Sequence, residues 1–344
     1  MSLAQLKYLI MKKNISFLFV ALVCLQPVPI ADFPQAEITN GLLKAVIYLP
    51  DPEKGYYRAS RFDWSGVTAR LEYKGHNYFD VWNPLPYDPG LHDAIVGPVQ
   101  EFRPALGYDE AMVGGTFIKI GVGSLKKIKE PSYRFGFTYD IVNPGKWTIS
   151  KKQDQISFTH ELIDASGYSY LYRKTVQLVK GKPVMVLHHS LKNTGKKSIE
   201  TNVYNHNFFV IDNEPTGPNM KLSFPFEIKA EDKGNGSLKG FGTVAKIQGK
   251  SIVYTRELNK GETVFSSGLL GFRSVPEDYN IVIENLKTGA GVKITSDAAI
   301  EKLVYWACQT TACPEPYIKL SAVAGQEIKW KYTYEFFTTA SSKK

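Results

Sequence analysis

Two short runs carry residue types that could move protons. The first is Tyr204-Asn205-His206-Asn207-Phe208-Phe209, inside an alternating stretch from Thr201 to Ile211. Read as a strand, this stretch turns Asn202, Tyr204, His206 and Phe208 to one face. An imidazole flanked on its own face by a phenol and an amide can take or give a proton near neutral pH. The competing reading is a core histidine satisfied by a backbone carbonyl. The second run is Cys313-Pro314-Glu315-Pro316-Tyr317. Its two prolines hold the backbone extended and remove two N–H groups that could stabilise a carboxylate. A stiffly held carboxylate suits a general base. The competing reading is an ordinary loop glutamate.

Such residues need a scaffold, and the chain is long enough to build one. It has 344 residues, 43% hydrophobic and 22% charged, which excludes a disordered chain, and its three cysteines exclude a disulfide scaffold. Period-2 alternation runs almost throughout and helical periodicity is nearly absent. Near the C-terminus, Ile328, Trp330, Tyr332, Tyr334 and Phe336 face one way, and Glu327, Lys329, Lys331, Thr333 and Glu335 the other. Such a strand has one face on a core and one in water. Turn signals punctuate the chain at Asn143-Pro144-Gly145, Lys180-Gly181-Lys182, Asn193-Thr194-Gly195 and Gly234-Asn235-Gly236. The expectation is an all-β chain: one large antiparallel β-sandwich over residues 34–340, with few and short helices.

The stretch from Tyr78 to Gly115 breaks this pattern. It is rich in Pro, Gly, aromatic and acidic residues and reads as a long structureless binding loop. Rings stack on the C–H faces of a pyranose, and carboxylates and amides bind its hydroxyls. That composition suits a small-molecule sugar or an oligosaccharide end.

The formal charge of +9 is scattered, and its densest run, Lys126-Lys127-Ile128-Lys129, reads as a solvated turn. No nucleic-acid stripe is expected. Residues 11–31 hold a basic start at Met11-Lys12-Lys13, an apolar run from Ile15 to Leu25 and a proline-containing exit. This is the order of a signal peptide, with residues 1–10 an upstream extension, and the apolar run is too short to span a bilayer comfortably. The expected location is periplasmic or secreted, with Cys24 a possible lipoprotein cysteine. Export would let Cys308 and Cys313 form a disulfide. Two cysteines with no other ligands nearby are a weak metal signal, and no metal site is expected.

Motifs spread along the chain resemble those of the aldose 1-epimerase (galactose mutarotase-like) family. They are the run from Leu187 to Gly195 followed by Tyr204-Asn205-His206-Asn207-Phe208-Phe209, then Glu315 followed by Gly325-Gln326 and the Trp330–Phe336 run. Upstream, Arg58-Ala59-Ser60-Arg61-Phe62 and Glu72-Tyr73-Lys74-Gly75-His76 resemble the family's early arginine motif and the hairpin after it. The resemblance implies a galactose mutarotase-like supersandwich that interconverts the anomers of an aldose. It makes His206 the general acid, Glu315 the general base, and Arg58 or Arg61 a ligand for sugar hydroxyls. His92 matches the family's second histidine, with Asp93-Ala94 standing where the family has Gly-Gly. Asp212, ahead of Pro215-Thr216-Gly217, resembles the family's substrate aspartate but follows the histidine strand closely. Glu101 and Arg103 have no counterpart and would supply loop contacts. No cofactor is implied. Two other readings remain: a non-catalytic carbohydrate-binding protein on the same fold, and a polysaccharide lyase or hydrolase in which Glu101 and Glu315 form a carboxylate pair.

Overall fold

The computed structural model describes residues 33–83 and 86–339. The signal-peptide reading of residues 11–31 and the lipid-anchor reading of Cys24 lie outside the described residues. From Phe33 onward the chain forms one compact unit. Its regular structure is nearly all antiparallel strand, with two short 3-10 turns, Ile211–Asn213 and Pro276–Asp278, among the described residues. No helix among them is long and apolar enough to cross a membrane.

Two sheets form the body. A ten-stranded sheet runs from Ala245–Gln248 at one edge to Lys146–Lys151 at the other, with Glu327–Thr338 and Val184–Asn193 side by side near its middle. A seven-stranded sheet places Val264–Leu270, Lys302–Cys308, Thr311–Ala322, Ile199–Phe208 and Gly97–Arg103 next to one another in that order. Smaller sheets of four and three strands complete the molecule.

The alternation in Glu327–Thr338 holds: Trp330, Tyr332, Tyr334 and Phe336 are buried while Lys329, Lys331 and Glu335 are exposed. Those aromatic rings share one hydrophobic core with Val203, Leu303, Tyr305 and Ile318 of the seven-stranded sheet. The two sheets therefore pack face to face, as apolar faces of a sandwich must. Residues one step along the same strands, Tyr204, Val304 and Tyr317, form a separate cluster on the sheet's outer face.

Two expectations about local structure fail. The stretch 78–115 is not structureless throughout, because Gly97–Arg103 is a strand paired with Ile199–Phe208. It lies at the sheet edge, where Pro98 can do without its N–H. At its start, Gly97 has φ 76° and its α-hydrogen faces the Thr68 carbonyl so closely that a Cβ would sit 2.3 Å from that oxygen. Glu315, for its part, is no loop residue but lies within a twelve-residue strand flanked by partners on both sides.

The cysteines also differ from expectation. Cys308 and Cys313 are free thiols. Register explains it: Cys313 faces Trp306 and Cys308 faces Thr311 across the hairpin. The two cysteines are diagonal neighbours, at a spacing of about 7–8 Å, whereas a disulfide brings Cβ atoms to about 3.8 Å.

Candidate active site

Strand register builds the site row by row on the outer face of the seven-stranded sheet. Lys302 pairs with Tyr317, Tyr317 with Tyr204, and Tyr204 with Glu101, giving one continuous row across four strands. Two residues further along, Val304 pairs with Glu315, and His206 with Val99. The same period-2 step brings His206 and Glu315 side by side, with His206 Nε2 3.3 Å from Glu315 Oε1. Both side chains are almost fully buried, with 5% and 7% exposure.

Above them opens a cleft of about 310 Å³, a size suited to a small molecule. Its floor holds Tyr204, His206, Phe208, Glu315 and Tyr317; its walls include Arg61, Trp82, His92, Asp93, Arg103, Phe135, Lys302 and Trp306. A stack of three rings fixes the histidine. The His206 ring lies 3.8 Å from Phe208 at 9°, and Trp82 lies on the other face of Phe208 at 4.8 Å and 4°. The indole of Trp82 is in turn tied to the carbonyl of Ile95 at 2.8 Å.

A polar chain inside the sandwich sets the backbone beside the carboxylate. Gln100 donates to Asn205 at 2.5 Å, Asn205 donates to the Tyr334 hydroxyl at 2.8 Å, and that hydroxyl donates to Asn207 at 2.7 Å. Asn207 then donates to the carbonyl of Pro314 at 2.9 Å, one residue before Glu315. Gln100, Asn205 and Asn207 thus face inward between residues that face the cleft.

Arg61 reaches the cleft from a loop pinned beneath it. Asp63, two residues on, donates its N–H to the Gln100 carbonyl at 2.9 Å and accepts from the Tyr172 hydroxyl at 3.0 Å. The Arg61 guanidinium donates to Glu101 Oε2 at 2.9 Å and to the Tyr204 hydroxyl at 3.1 Å, and lies between the rings of Phe62 and Phe135 at 4.3 and 4.7 Å. Glu101 is fully buried, with Lys119 Nζ at 3.6 Å and Arg103 Nε at 3.7 Å from its other oxygen. Burial raises its pKa, but Arg61, Lys119 and Arg103 more than reverse that and hold the carboxyl down at about 2.

Glu315 has the opposite fate. Burial pushes its carboxyl up to about 8, with Arg61 working against the shift. Burial, and then the nearby Arg61 charge, push His206 well below its ordinary value. Its Nδ1 has no partner. At neutral pH the unliganded pair therefore holds one proton, on the carboxyl side, and a neutral imidazole.

The structure thus brings together His206, Glu315, Arg61 and His92. Arg103 also lines the cleft, whereas Arg58, Glu101 and Asp212 do not. Arg58 turns away and donates to the carbonyl of Glu53, so of the two early arginines it is Arg61 that faces the cleft. Glu101 lies beneath the wall as a counterion, because three cations and Tyr204 enclose it. Asp212 is elsewhere: it sits 2.8 Å from His76 Nδ1 and accepts the Asn77 N–H at 3.0 Å. Sequence reasoning missed Lys302, Trp306 and Phe135 as cleft residues, and placed Trp82 only within the 78–115 stretch read as a binding loop. Lys302, Val304 and Trp306 carried a usable signal, since they alternate on the strand that forms a hairpin with the Glu315 strand. Trp82 and Phe135 stand on loops, where no period marks direction. Among the described residues no group of three or more His, Cys, Asp and Glu side chains gathers in a metal-binding arrangement.

The two packed antiparallel sheets form a galactose mutarotase-like sandwich. The chain is similar to a galactose mutarotase related enzyme from Lactobacillus acidophilus, with a TM-score of 0.55 over 90% of this chain and 99% of that one at 12% identity. It is similar to an aldose epimerase homologue from C. elegans, with a TM-score of 0.52 over 89% and 99% at 12% identity. It also matches a galactose mutarotase-like protein from Lactobacillus casei, with a TM-score of 0.50 over 88% and 100% at 15% identity. No protein-family model matches the chain, and no curated protein sequence does.

Proposed function

We propose that the cleft binds an aldose and interconverts its anomers by opening and reclosing the ring. The observation that carries this reading is the 3.3 Å approach of His206 Nε2 to Glu315 Oε1 on the cleft floor. Ring opening removes a proton from the anomeric hydroxyl and adds one to the ring oxygen. Those two oxygens are bonded to the same carbon, so the groups that serve them must themselves stand close together. In the opening half, the carboxylate of Glu315 takes the hydroxyl proton while the imidazolium of His206 protonates the ring oxygen. The open aldehyde turns about its C1–C2 bond. In the closing half, the Glu315 carboxyl returns a proton to the carbonyl oxygen and neutral His206 takes one from the attacking hydroxyl. One proton shared by the pair serves both halves. The resting state, with that proton on Glu315, corresponds to the closing half. Opening therefore begins when the sugar's hydroxyls solvate the carboxyl and shift the proton toward His206.

Aromatic walls support a sugar as the ligand. Trp306 and Phe135 bring aromatic surface to the cleft, where it can meet C–H groups, and Phe135 is 42% exposed. The hydrolase reading pairs Glu101 with Glu315 across the bond, and Glu101 is held beneath Arg61. A lyase using Tyr204 as base would need a phenol that ionises readily; burial raises its pKa well above the ordinary value. The reading of residues 11–31 as a leader supports action in the periplasm or outside the cell. The test is NMR exchange spectroscopy between anomers for a panel of reducing sugars. Enzyme-dependent exchange that vanishes in Glu315→Gln supports the proposal. Sugar binding without any exchange would instead make the protein a carbohydrate-binding module.

A further inference from the structure

We propose that the cleft selects sugars bearing an oxyanion on the exocyclic carbon beside the ring oxygen, and that Arg103 and Lys302 hold that group; this rests on the anomer-exchange reading. The row Lys302–Tyr317–Tyr204–Glu101 crosses four neighbouring strands, and Arg103 stands two residues beyond Glu101 on its strand. Lys302 and Arg103 therefore begin at opposite sides of the cleft, about 16 Å apart, three strand spacings across and two residues along. Both line the cleft beside the tyrosine pair, whose rings stack at 4.2 Å. Lys302 Nζ lies 5.6 Å from the Tyr317 ring, and the Arg103 guanidinium 5.3 Å from the Phe135 ring.

Neither cation has a carboxylate of its own. Among the described residues the Lys302 side chain makes no ion pair and no hydrogen bond. The Arg103 side chain makes no hydrogen bond, and its nearest acid is Glu101 at 3.7 Å. Glu101 is already bound by Arg61 at 2.9 Å and neighboured by Lys119 at 3.6 Å. Glu315, pushed up to about 8 by burial, offsets only part of the Lys302 charge. Asp93 is the remaining acid on the wall, beside His92 at 4.0 Å. Counting the buried cluster, four cations, Arg61, Lys119, Arg103 and Lys302, thus stand against two carboxylates, Glu101 and Asp93, in and beneath a partly dehydrated cleft. Burial, and next the charge of Arg103, push the Lys302 ammonium below its ordinary value. That mutual repulsion is relieved when an anion enters between the two.

Position sets which sugar carbon bears the anion. Lys302 lies two residues from the His206–Glu315 row, about 7 Å along the strands, and Arg103 four residues from it, about 13 Å, with its side chain reaching back to line the cleft. With the anomeric carbon and ring oxygen over His206 and Glu315, the exocyclic carbon beside the ring oxygen carries the substituent that projects furthest beyond the ring, toward the two cations. A uronic-acid carboxylate or a sulfate or phosphate ester at the terminal carbon presents the same oxyanion there.

The experiment compares anomer exchange of glucose and galactose with glucuronate and galacturonate, and with the 6-sulfate and 6-phosphate of glucose. The expected result is that one charged class exchanges at least roughly 10-fold more efficiently than its neutral parent, since hydrogen bonds to charged groups are the stronger ones. The carboxylate and ester arms tell which source of oxyanion is used. Arg103→Gln and Lys302→Gln should each cut the charged-to-neutral ratio of kcat/KM by roughly 10-fold or more, and added salt should lower the ratio for the unmutated protein. A ratio near one, or a ratio unmoved by both variants, overturns the proposal and leaves anomer exchange standing. Calorimetric binding of the charged sugars, lost in the variants, with no exchange of any sugar, sinks the epimerase reading and keeps the anion site.

Discussion

Asn207 donates its side-chain amide to the carbonyl of Pro314 at 2.9 Å, one residue before Glu315. The carboxylate's backbone is thereby held from the neighbouring strand, at a position where proline supplies no N–H of its own. Asn207 faces the sandwich interior and does not line the cleft, so it acts on Glu315 only through position. Asn207→Ala should lower kcat by roughly 10- to 100-fold through misplacement of the base, with KM nearly unchanged. Steady-state kinetics beside a thermal melt would check it. A fall in KM-dependent affinity with intact kcat would show that the contact serves binding instead.

The pair itself should carry turnover more than affinity. Glu315→Gln and His206→Asn should each reduce exchange by roughly 10²–10⁴-fold, the share of a positioned acid or base. Sugar affinity, read by calorimetry, should change far less. The double variant should be little worse than either single one, because the two groups share one proton.

The shared proton also sets the pH dependence of exchange. The pair loses its only proton when Glu315 ionises, so kcat/KM should fall above about 8. It gains a second proton only when His206 charges, well below the ordinary histidine value. A broad plateau through neutrality is expected, with the alkaline limb near the Glu315 value. A profile that rises steadily beyond that limb would mean that no acid is needed.

Stability should respond to pH with opposite signs at the two buried glutamates. Glu315 stays protonated in the fold up to about 8, while in the unfolded chain it ionises near 4.5. The folded chain binds the extra proton in that window, so stability should fall as pH rises through it, and Glu315→Gln should flatten the slope. Glu101 is held down at about 2. Its contribution is present above the ordinary carboxylate value and is lost as pH falls toward 2. Glu101→Gln should remove that acid limb and cost roughly 3–5 kcal/mol at neutral pH, because buried Arg61 and Lys119 lose their counter-charge. Denaturant titrations across pH would read both effects.

Arg61 joins the buried charge cluster to the cleft, so its loss should be felt twice. Arg61→Met should weaken sugar binding and also raise the His206 pKa, since the guanidinium is one of the two causes of its depression. NMR titration of the imidazole would show the second effect independently of any activity.

Much of this was legible because strands write their geometry as a period of two. Alternation alone puts Tyr204, His206 and Phe208 on one face, and the structure places all three on the cleft floor. The proline-flanked Glu315 was legible as a rigid carboxylate but not as a central-strand residue, because prolines inside a paired strand run against the usual rule. The choice between Arg58 and Arg61 was not legible. It depends on a loop whose direction is set by Asp63 and its contacts with Gln100 and Tyr172, distant in sequence. Glu101 was legible as unusual, yet its burial depends on Lys119, which reads in sequence as one more surface lysine. Lys119 instead donates to the carbonyl of Phe102 at 2.8 Å and is fully enclosed.

The alternation in the seven-stranded sheet divides labour between neighbours in the chain. Val203, Asn205, Leu303 and Ile318 face the opposing sheet, while Tyr204, His206, Lys302 and Tyr317 face the cleft. Each strand thus carries two messages interleaved letter by letter, one to keep the sandwich shut and one to choose a ligand. Mutational drift can rewrite the second without disturbing the first. Lineages built on this frame can change what they bind by editing every other residue, row by row, and leave little shared text between chains that still fold alike.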